Sequence, residues 1–103
     1  MSGERPNIEH VTAILRSHAQ ELNSAGILHL ALHGSVARGQ ATATSDVDLI
    51  AEFDRTKGLS LFDLVGLQLR LSGILDAPAD LADRRFLKDE VKSRAAQHAV
   101  VVF

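Results

Sequence analysis

The residues best suited to carry chemistry are a Gly-Ser pair and an Asp-x-Asp pair, with ten residues between them. Gly34 follows a short apolar segment, and a glycine there allows a tight turn and a close approach of the backbone to a ligand. The residues after Ser35 can begin a short helix, whose free N–H groups would form an anion site. The Ser35 hydroxyl can add a hydrogen bond to a phosphate oxygen. This part of the chain therefore indicates phosphate binding.

The Asp-x-Asp pair indicates a metal site. Asp46 and Asp48 are two residues apart on a predicted strand, so both carboxylates leave the same face. Two such charges repel each other unless a hard cation neutralises them, and oxygen ligands of this kind suit Mg²⁺ or Mn²⁺. A third carboxylate on an adjacent strand would complete a two-metal site, and Asp80 is the candidate.

A set of alternating helices and strands must position these residues. The apolar spacing predicts a mixed α/β (α+β) layer fold, in which a small sheet is flanked by helices. The second predicted strand alternates, with its odd-numbered residues on one face and Asp46, Asp48, Ile50 and Glu52 on the other. The predicted helices are 8–22, 60–75 and 86–97, the predicted strands are 27–33, 47–53 and 79–82, and an apolar tail spans 100–103.

Length and composition narrow the class of protein. The 103 residues predict one domain, 1–103, and a net charge of −2 without a basic stripe argues against direct nucleic-acid binding. The chain has no cysteine, no apolar leader and no run of 18 apolar residues, so we expect a cytoplasmic protein without a membrane segment.

The segment LHGSVARGQATATSDVDLIAEFD resembles the active-site signature of the DNA-polymerase-β-type nucleotidyltransferases. More narrowly, the chain is similar to the minimal nucleotidyltransferase antitoxins that are paired with HEPN-domain RNase toxins. The resemblance covers nearly the whole chain and implies the minimal nucleotidyltransferase core. One departure is His33, because the family usually has Phe or Tyr before Gly-Ser.

The resemblance implies roles for the matching residues. Asp46 and Asp48 would bind the metal, Asp80 would be the third carboxylate that activates the acceptor hydroxyl, and Gly34 and Ser35 would hold the nucleotide phosphates. Two further residues are counted as candidate nucleotide-binding residues. Arg38 would either clamp the triphosphate or pair with a nearby carboxylate, and Ser45 is a turn residue at the entry to the second strand. Together, the candidate catalytic and metal-binding residues are Asp46, Asp48 and Asp80, and the candidate nucleotide-binding residues are Gly34, Ser35, Arg38 and Ser45.

The function implied is that of an antitoxin that transfers AMP from ATP, with Mg²⁺ or Mn²⁺, to a tyrosine of a HEPN-domain toxin. Two alternatives stay open: a catalytically weak antitoxin that acts by binding alone, and nucleotidyl transfer to a small molecule. A homodimer or a hetero-oligomer is compatible with the sequence. The chain contains no tyrosine, so it cannot be its own tyrosine acceptor.

Two apolar segments are candidates for a partner surface. The helix over 60–75 is apolar nearly all the way round, so we expect either a fully packed helix or one with a spare stripe. The tail 100–103 is expected more often to dock on the domain, but it also stays open as an interface. We expect either the spare stripe of the 60–75 helix or this tail to form the surface on which the partner docks. The basic residues Arg84, Arg85 and Lys88 are interpreted mainly as a solvated helix start.

Overall fold

The computed structural model describes residues 7–40 and 46–103, and its elements follow the predicted order. Short 3₁₀ turns cover Arg55–Lys57 and Arg84–Phe86. The helices are α1 (Ile8–Ser17), α2 (Ala19–Ser24), α3 (Gly34–Ala37), α4 (Leu61–Leu75) and α5 (Asp89–His98), and the strands are β1 (Ile27–His33), β2 (Val47–Phe53), β3 (Ala79–Asp83) and β4 (Val100–Val101).

The sheet is mixed and has the strand order β3-β2-β1-β4. Strand β1 pairs antiparallel with both β2 and β4, whereas β2 and β3 are parallel and are joined by α4 as the crossover helix. The predicted mixed sheet with flanking helices is therefore confirmed. The parallel pair matters for the site, because it sets Asp48 directly beside Asp80.

One face of the sheet forms the core. The odd-numbered residues of β2 are buried there, together with α1, α2 and the inner side of α4, as the alternation predicts. The other face carries Asp48, Ile50 and Glu52, and in 7–40 and 46–103 it is not covered by a comparable layer of buried helices, because α5 has no buried residue. The fully buried large side chains are Leu15, Leu22, Ile27, Leu30, Leu32, Leu49, Leu71, Val36 and Val47.

The first helix differs from the prediction of one helix over 8–22, because it is interrupted at His18. Local side chains compete with the helical pattern at this point. The Ser17 hydroxyl donates to the Ile14 carbonyl over 2.6 Å, and His18 Nδ1 lies 3.1 Å from a carboxylate oxygen of Glu21. Sequence periodicity does not detect such a break, because the apolar spacing continues across it.

The apolar tail is docked, as expected, and part of it forms a strand that was not predicted. Val100 and Val101 pair with β1, and Val102 is buried. Arg16 of α1 holds this segment, since its Nε donates to the Val102 carbonyl over 2.8 Å and its Nη2 to the Val101 carbonyl over 3.1 Å. The last helix also begins later than predicted, at Asp89, after the 3₁₀ turn.

Helix α4 has a defined start and a spare apolar stripe. Ser60 and Asp63 form a reciprocal capping box, which satisfies two backbone N–H groups of the first turn. Leu67 and Leu71 enter the core, whereas four large apolar side chains face solvent: Leu61, Phe62, Val65 and Leu69. The spare stripe is therefore present, and we call these four residues the α4 stripe. Among the described residues, no helix has the length and apolarity needed to cross a membrane.

Candidate active site

The candidate site lies where β1 ends and the parallel pair β2 and β3 begins. His33 is the register partner of Asp48 across β1 and β2, and Asp48 is the register partner of Asp80 across β2 and β3. Neighbouring strands are about 4.8 Å apart, so the three side chains form one row across the open face of the sheet. Asp46 is exposed and immediately precedes β2, two residues from Asp48.

The turn after β1 requires a glycine for two reasons. Gly34 has a φ of +74°, which an L side chain rarely adopts, and a Cβ at this position would overlap Asp48 Oδ2. The backbone of the Gly-Ser turn therefore lies directly against the Asp48 carboxylate. This contact brings the Gly-Ser pair and the Asp-x-Asp pair together, although ten residues separate them in the sequence.

The turn continues into α3, which begins at Gly34. In the part of the chain that the structure describes, no side chain caps the N-terminus of this helix. Its first-turn N–H groups are therefore not satisfied by a capping side chain, and Ser35, which is half-buried, lies within that turn. The arrangement suits an anionic oxygen beside the Asp48 carboxylate.

The electrostatics of Asp48 also favour a cation. Burial raises the pKa of the Asp48 carboxyl, and the negative charges of Asp80 and Asp46 act in the same direction, while His33 and Arg38 oppose them. The ionised carboxylate is thus less stable here than in water, and a positive charge placed between these groups would stabilise it.

Mg²⁺ and Mn²⁺ prefer oxygen donors, and the three carboxylates supply them. Gly34 has no side chain, so it does not cover Asp48 Oδ2. The residues present therefore fit such an ion chemically. Within 7–40 and 46–103, however, no three His, Asp or Glu side chains are gathered into a ready metal cluster. The assignment of Asp46, Asp48 and Asp80 as metal ligands stays a prediction.

His33 is a neighbour of the carboxylates to which sequence reasoning gave no role. Burial lowers the pKa of its imidazole, although Asp48 and Asp80 pull in the opposite direction. Its position directly before Gly34 is the one signal that could have placed it there. A histidine at this point can accept or donate a hydrogen bond beside Asp48, which the Phe or Tyr of the resembling family cannot do in the same way.

The two remaining candidate nucleotide-binding residues are Arg38 and Ser45. Arg38 is the C-cap residue of α3, and its Nε donates to Gln40 Oε1 over 3.2 Å. Its charge acts on both Asp48 and His33, so it lies near the site without forming an ion pair with a described carboxylate. Ser45 lies outside the described residues.

The comparisons with known proteins agree with this geometry. The nucleotidyltransferase domain family matches residues 14–102, so the chain belongs to that family. The protein adenylyltransferase MntA of Thermococcus cleftensis is 29% identical over 96 residues, which cover 92% of this chain and 95% of MntA. A candidate protein adenylyltransferase of Methanocaldococcus jannaschii is 35% identical over 83 residues, covering 79% of this chain and 93% of that protein.

Two solved structures share the fold of this chain. A candidate minimal nucleotidyltransferase has 30% identity and a TM-score of 0.68, with 89% of this chain and 88% of that chain covered. A toxin–antitoxin structure with AMP-PNP has 20% identity and a TM-score of 0.70, with 85% of this chain and 72% of that chain covered. The resemblance to the minimal nucleotidyltransferases and their fold is thereby confirmed.

Proposed function

We propose that this protein is an antitoxin that transfers AMP from ATP to a tyrosine of a HEPN-domain toxin and so neutralises it. One observation carries the proposal: the uncapped Gly-Ser turn lies against Asp48, which in turn is the register partner of Asp80. The backbone amides of the turn and a pair of carboxylates thus meet at one edge of the sheet. The similarity to MntA supports the choice of AMP and of a protein acceptor.

Each residue has a part in the reaction. The amides of the Gly34–Ser35 turn and the Ser35 hydroxyl bind the β- and γ-phosphates, which orients the α-phosphorus toward the open face of the sheet. Asp46, Asp48 and Asp80 would hold Mg²⁺ or Mn²⁺, which when bound neutralises phosphate charge and lowers the pKa of the acceptor hydroxyl. Asp80 takes the hydroxyl proton. The tyrosine oxygen then bonds to the α-phosphorus, the bond to the bridging oxygen breaks, and pyrophosphate leaves.

The absence of tyrosine from the chain predicts where the AMP goes. Self-modification on tyrosine is excluded by composition, so the label must appear on the partner. The decisive experiment incubates the chain with radiolabelled ATP, Mg²⁺ and the protein encoded next to it. We expect pyrophosphate release and a mass gain of one AMP on the partner, and both should be slower by a factor of about 100 to 1,000 with Asp48→Asn. Label on this chain alone would contradict the scheme.

A second candidate function is neutralisation by binding without catalysis, and the α4 stripe favours it. Leu61, Phe62 and Leu69 are 74%, 89% and 67% exposed, and apolar patches of this kind mark protein-binding surfaces. The two functions separate in one assay. If Asp48→Asn abolishes AMP transfer and still neutralises the toxin at equal concentrations, binding alone is sufficient.

A further inference from the structure

A cleft runs along the open face of the sheet, away from the carboxylates. His33, Asp48 and Asp80 form one row of register partners across the sheet. The floor of the cleft is formed by the next rows on the same face, which contain first Ala31 and Ile50 and then Glu52. Two residues along a strand span about 6.7 Å, so the floor begins one such step from Asp48 and reaches Glu52 after roughly 13 Å.

Helix α5 forms the wall of this cleft. None of its residues is buried, and apart from Lys92 the side chains that line the cleft here are small: Ala95 and Ala96 of α5, and Ala99 directly after it. Because these side chains fill little volume, a cavity of about 620 Å³ remains between the helix and the sheet. The middle of the cleft is apolar, with Ile50, Leu87 and Phe103 among its lining residues.

The far end of the cleft is basic. A second cavity of about 520 Å³ adjoins the first, and the two share Glu52, Arg84 and Lys92. Arg85 is paired with Asp83 at 3.0 Å. Arg84, Lys92 and the nearby Arg55 have no ion-pair partner among the described carboxylates, so three cations face one carboxylate, Glu52.

We propose that this cleft is the acceptor channel, in which an extended acidic segment of the partner protein lies between α5 and the sheet. The acceptor hydroxyl reaches Asp48 and Asp80, and a carboxylate about four residues away binds Arg84 and Lys92. The spacing follows from the floor, because an extended segment and a strand advance by the same distance per residue. Charge complementarity selects the acidic occupant. The inference rests on the proposed function for the identity of the reaction, but the binding of the segment can be tested without it.

The binding test uses dye-labelled peptides without ATP, followed by fluorescence anisotropy. One peptide has a central tyrosine with glutamates four residues before and after it, and its match has lysines at those positions. We expect the glutamate peptide to bind and Lys92→Glu to weaken it about tenfold. We also expect the lysine peptide to bind Lys92→Glu better than the wild type.

Arg94→Glu is the matched control. It makes the same charge change on the same exposed helix, and Arg94 does not line either cavity. Equal binding of the glutamate peptide to both variants would overturn the proposal. So would displacement of that peptide by a single-stranded RNA that binds the wild type more tightly, since the basic end would then serve nucleic acid.

A steric variant gives a second measurement that does not depend on charge. Ala95→Leu fills the cavity from the α5 side, so we expect it to reduce peptide binding while ATP affinity stays at the wild-type value.

Failure of the proposed function can be distinguished from failure of the acceptor channel. If the wild type neither binds ATP nor transfers AMP, that function fails, yet the glutamate peptide still binds. If transfer to the partner proceeds equally in Lys92→Glu and Arg94→Glu, the channel fails and the function stands.

Discussion

Asp48 on β2 and Asp80 on β3 are direct register partners on two parallel strands. The fold itself therefore holds two like charges side by side, with Asp48 partly buried. Such an arrangement costs stability when both groups are ionised, and sites of this kind are retained for their chemistry.

Asp48→Asn is expected to separate activity from stability. The substitution removes one negative charge from the pair and keeps the shape, so AMP transfer should fall by a factor of about 100 to 1,000. The melting temperature without nucleotide and metal should rise, because the partly buried charge is lost. Thermal unfolding and pyrophosphate release measure both effects, with the exposed Asp76→Asn as the control. A lower melting temperature for Asp48→Asn would contradict the repulsion.

Gly34→Ala tests the contact between the turn and Asp48. Gly39 has nearly the same backbone, with a φ of +70° against +74° at Gly34, but a Cβ there has nothing within 4 Å. Gly39→Ala should thus lose about 1 kcal/mol from backbone strain alone. Gly34→Ala adds the overlap with Asp48, so it should be clearly less stable and inactive. Equal free energies of unfolding for the two variants would show that the contact is relaxed easily.

Asp83 predicts a pH dependence of stability at the far end of β3. Burial acts to raise the pKa of this carboxyl, but hydrogen bonds from the Arg85 side chain and backbone N–H outweigh it, so the pKa lies below its ordinary value. A lowered pKa in the folded state contributes stability above the unfolded-state pKa, near 3.9, and this contribution is lost as the pH falls through the folded pKa.

Asp83→Asn should accordingly destabilise the protein at pH 7, and its difference from the wild type should shrink as the pH is lowered through that range. Urea unfolding between pH 7 and pH 3 measures this difference. A difference that stays constant with pH would mean that Asp83 stabilises the turn by packing and neutral hydrogen bonds.

Leu69 and Leu71 give a matched pair on α4. Leu71 is fully buried, so Leu71→Ala should cost about 2 to 5 kcal/mol of the free energy of unfolding. Leu69 is 67% exposed in the α4 stripe, so Leu69→Ser should leave stability nearly unchanged and weaken binding of the toxin. Calorimetry of the complex measures the second effect. Undiminished affinity for Leu69→Ser together with Phe62→Ser would exclude the stripe as an interface.

Much of this arrangement follows from local sequence patterns. The bounds of β1 and β2 agree with the prediction, because alternation and the glycine after His33 mark them clearly. The adjacency of Asp48 and Asp80 was also predicted, from the requirement for a third carboxylate on an adjacent strand. The parallel direction of the two strands was not predicted, although a helix between two strands favours it. The catalytic and metal-binding roles of Asp46, Asp48 and Asp80 stay predictions.

Other features depend on contacts distant in sequence. The strand at Val100–Val101 forms because β1 offers an edge and Arg16 binds carbonyls 85 and 86 residues away. The basic cleft was missed for the same reason: Arg55, Arg84 and Lys92 are far apart in the chain and were interpreted as solvated or not singled out. Only the folded sheet brings them to one end.

Helix α4 packs on the core face of the sheet, whereas Asp48 and Asp80 point from the opposite face. A partner held by the α4 stripe therefore cannot present a residue of that same surface to the carboxylates. Either one partner chain extends around the edge of the sheet to reach both faces, or two partner chains bind at once. In the second case, one is held by the α4 stripe and the other reacts at Asp48 and Asp80. In the second arrangement, one chain of this protein would engage two partner chains. An equimolar mixture would then place every partner chain on a holding surface, and modification at the opposite face would need an excess of the partner.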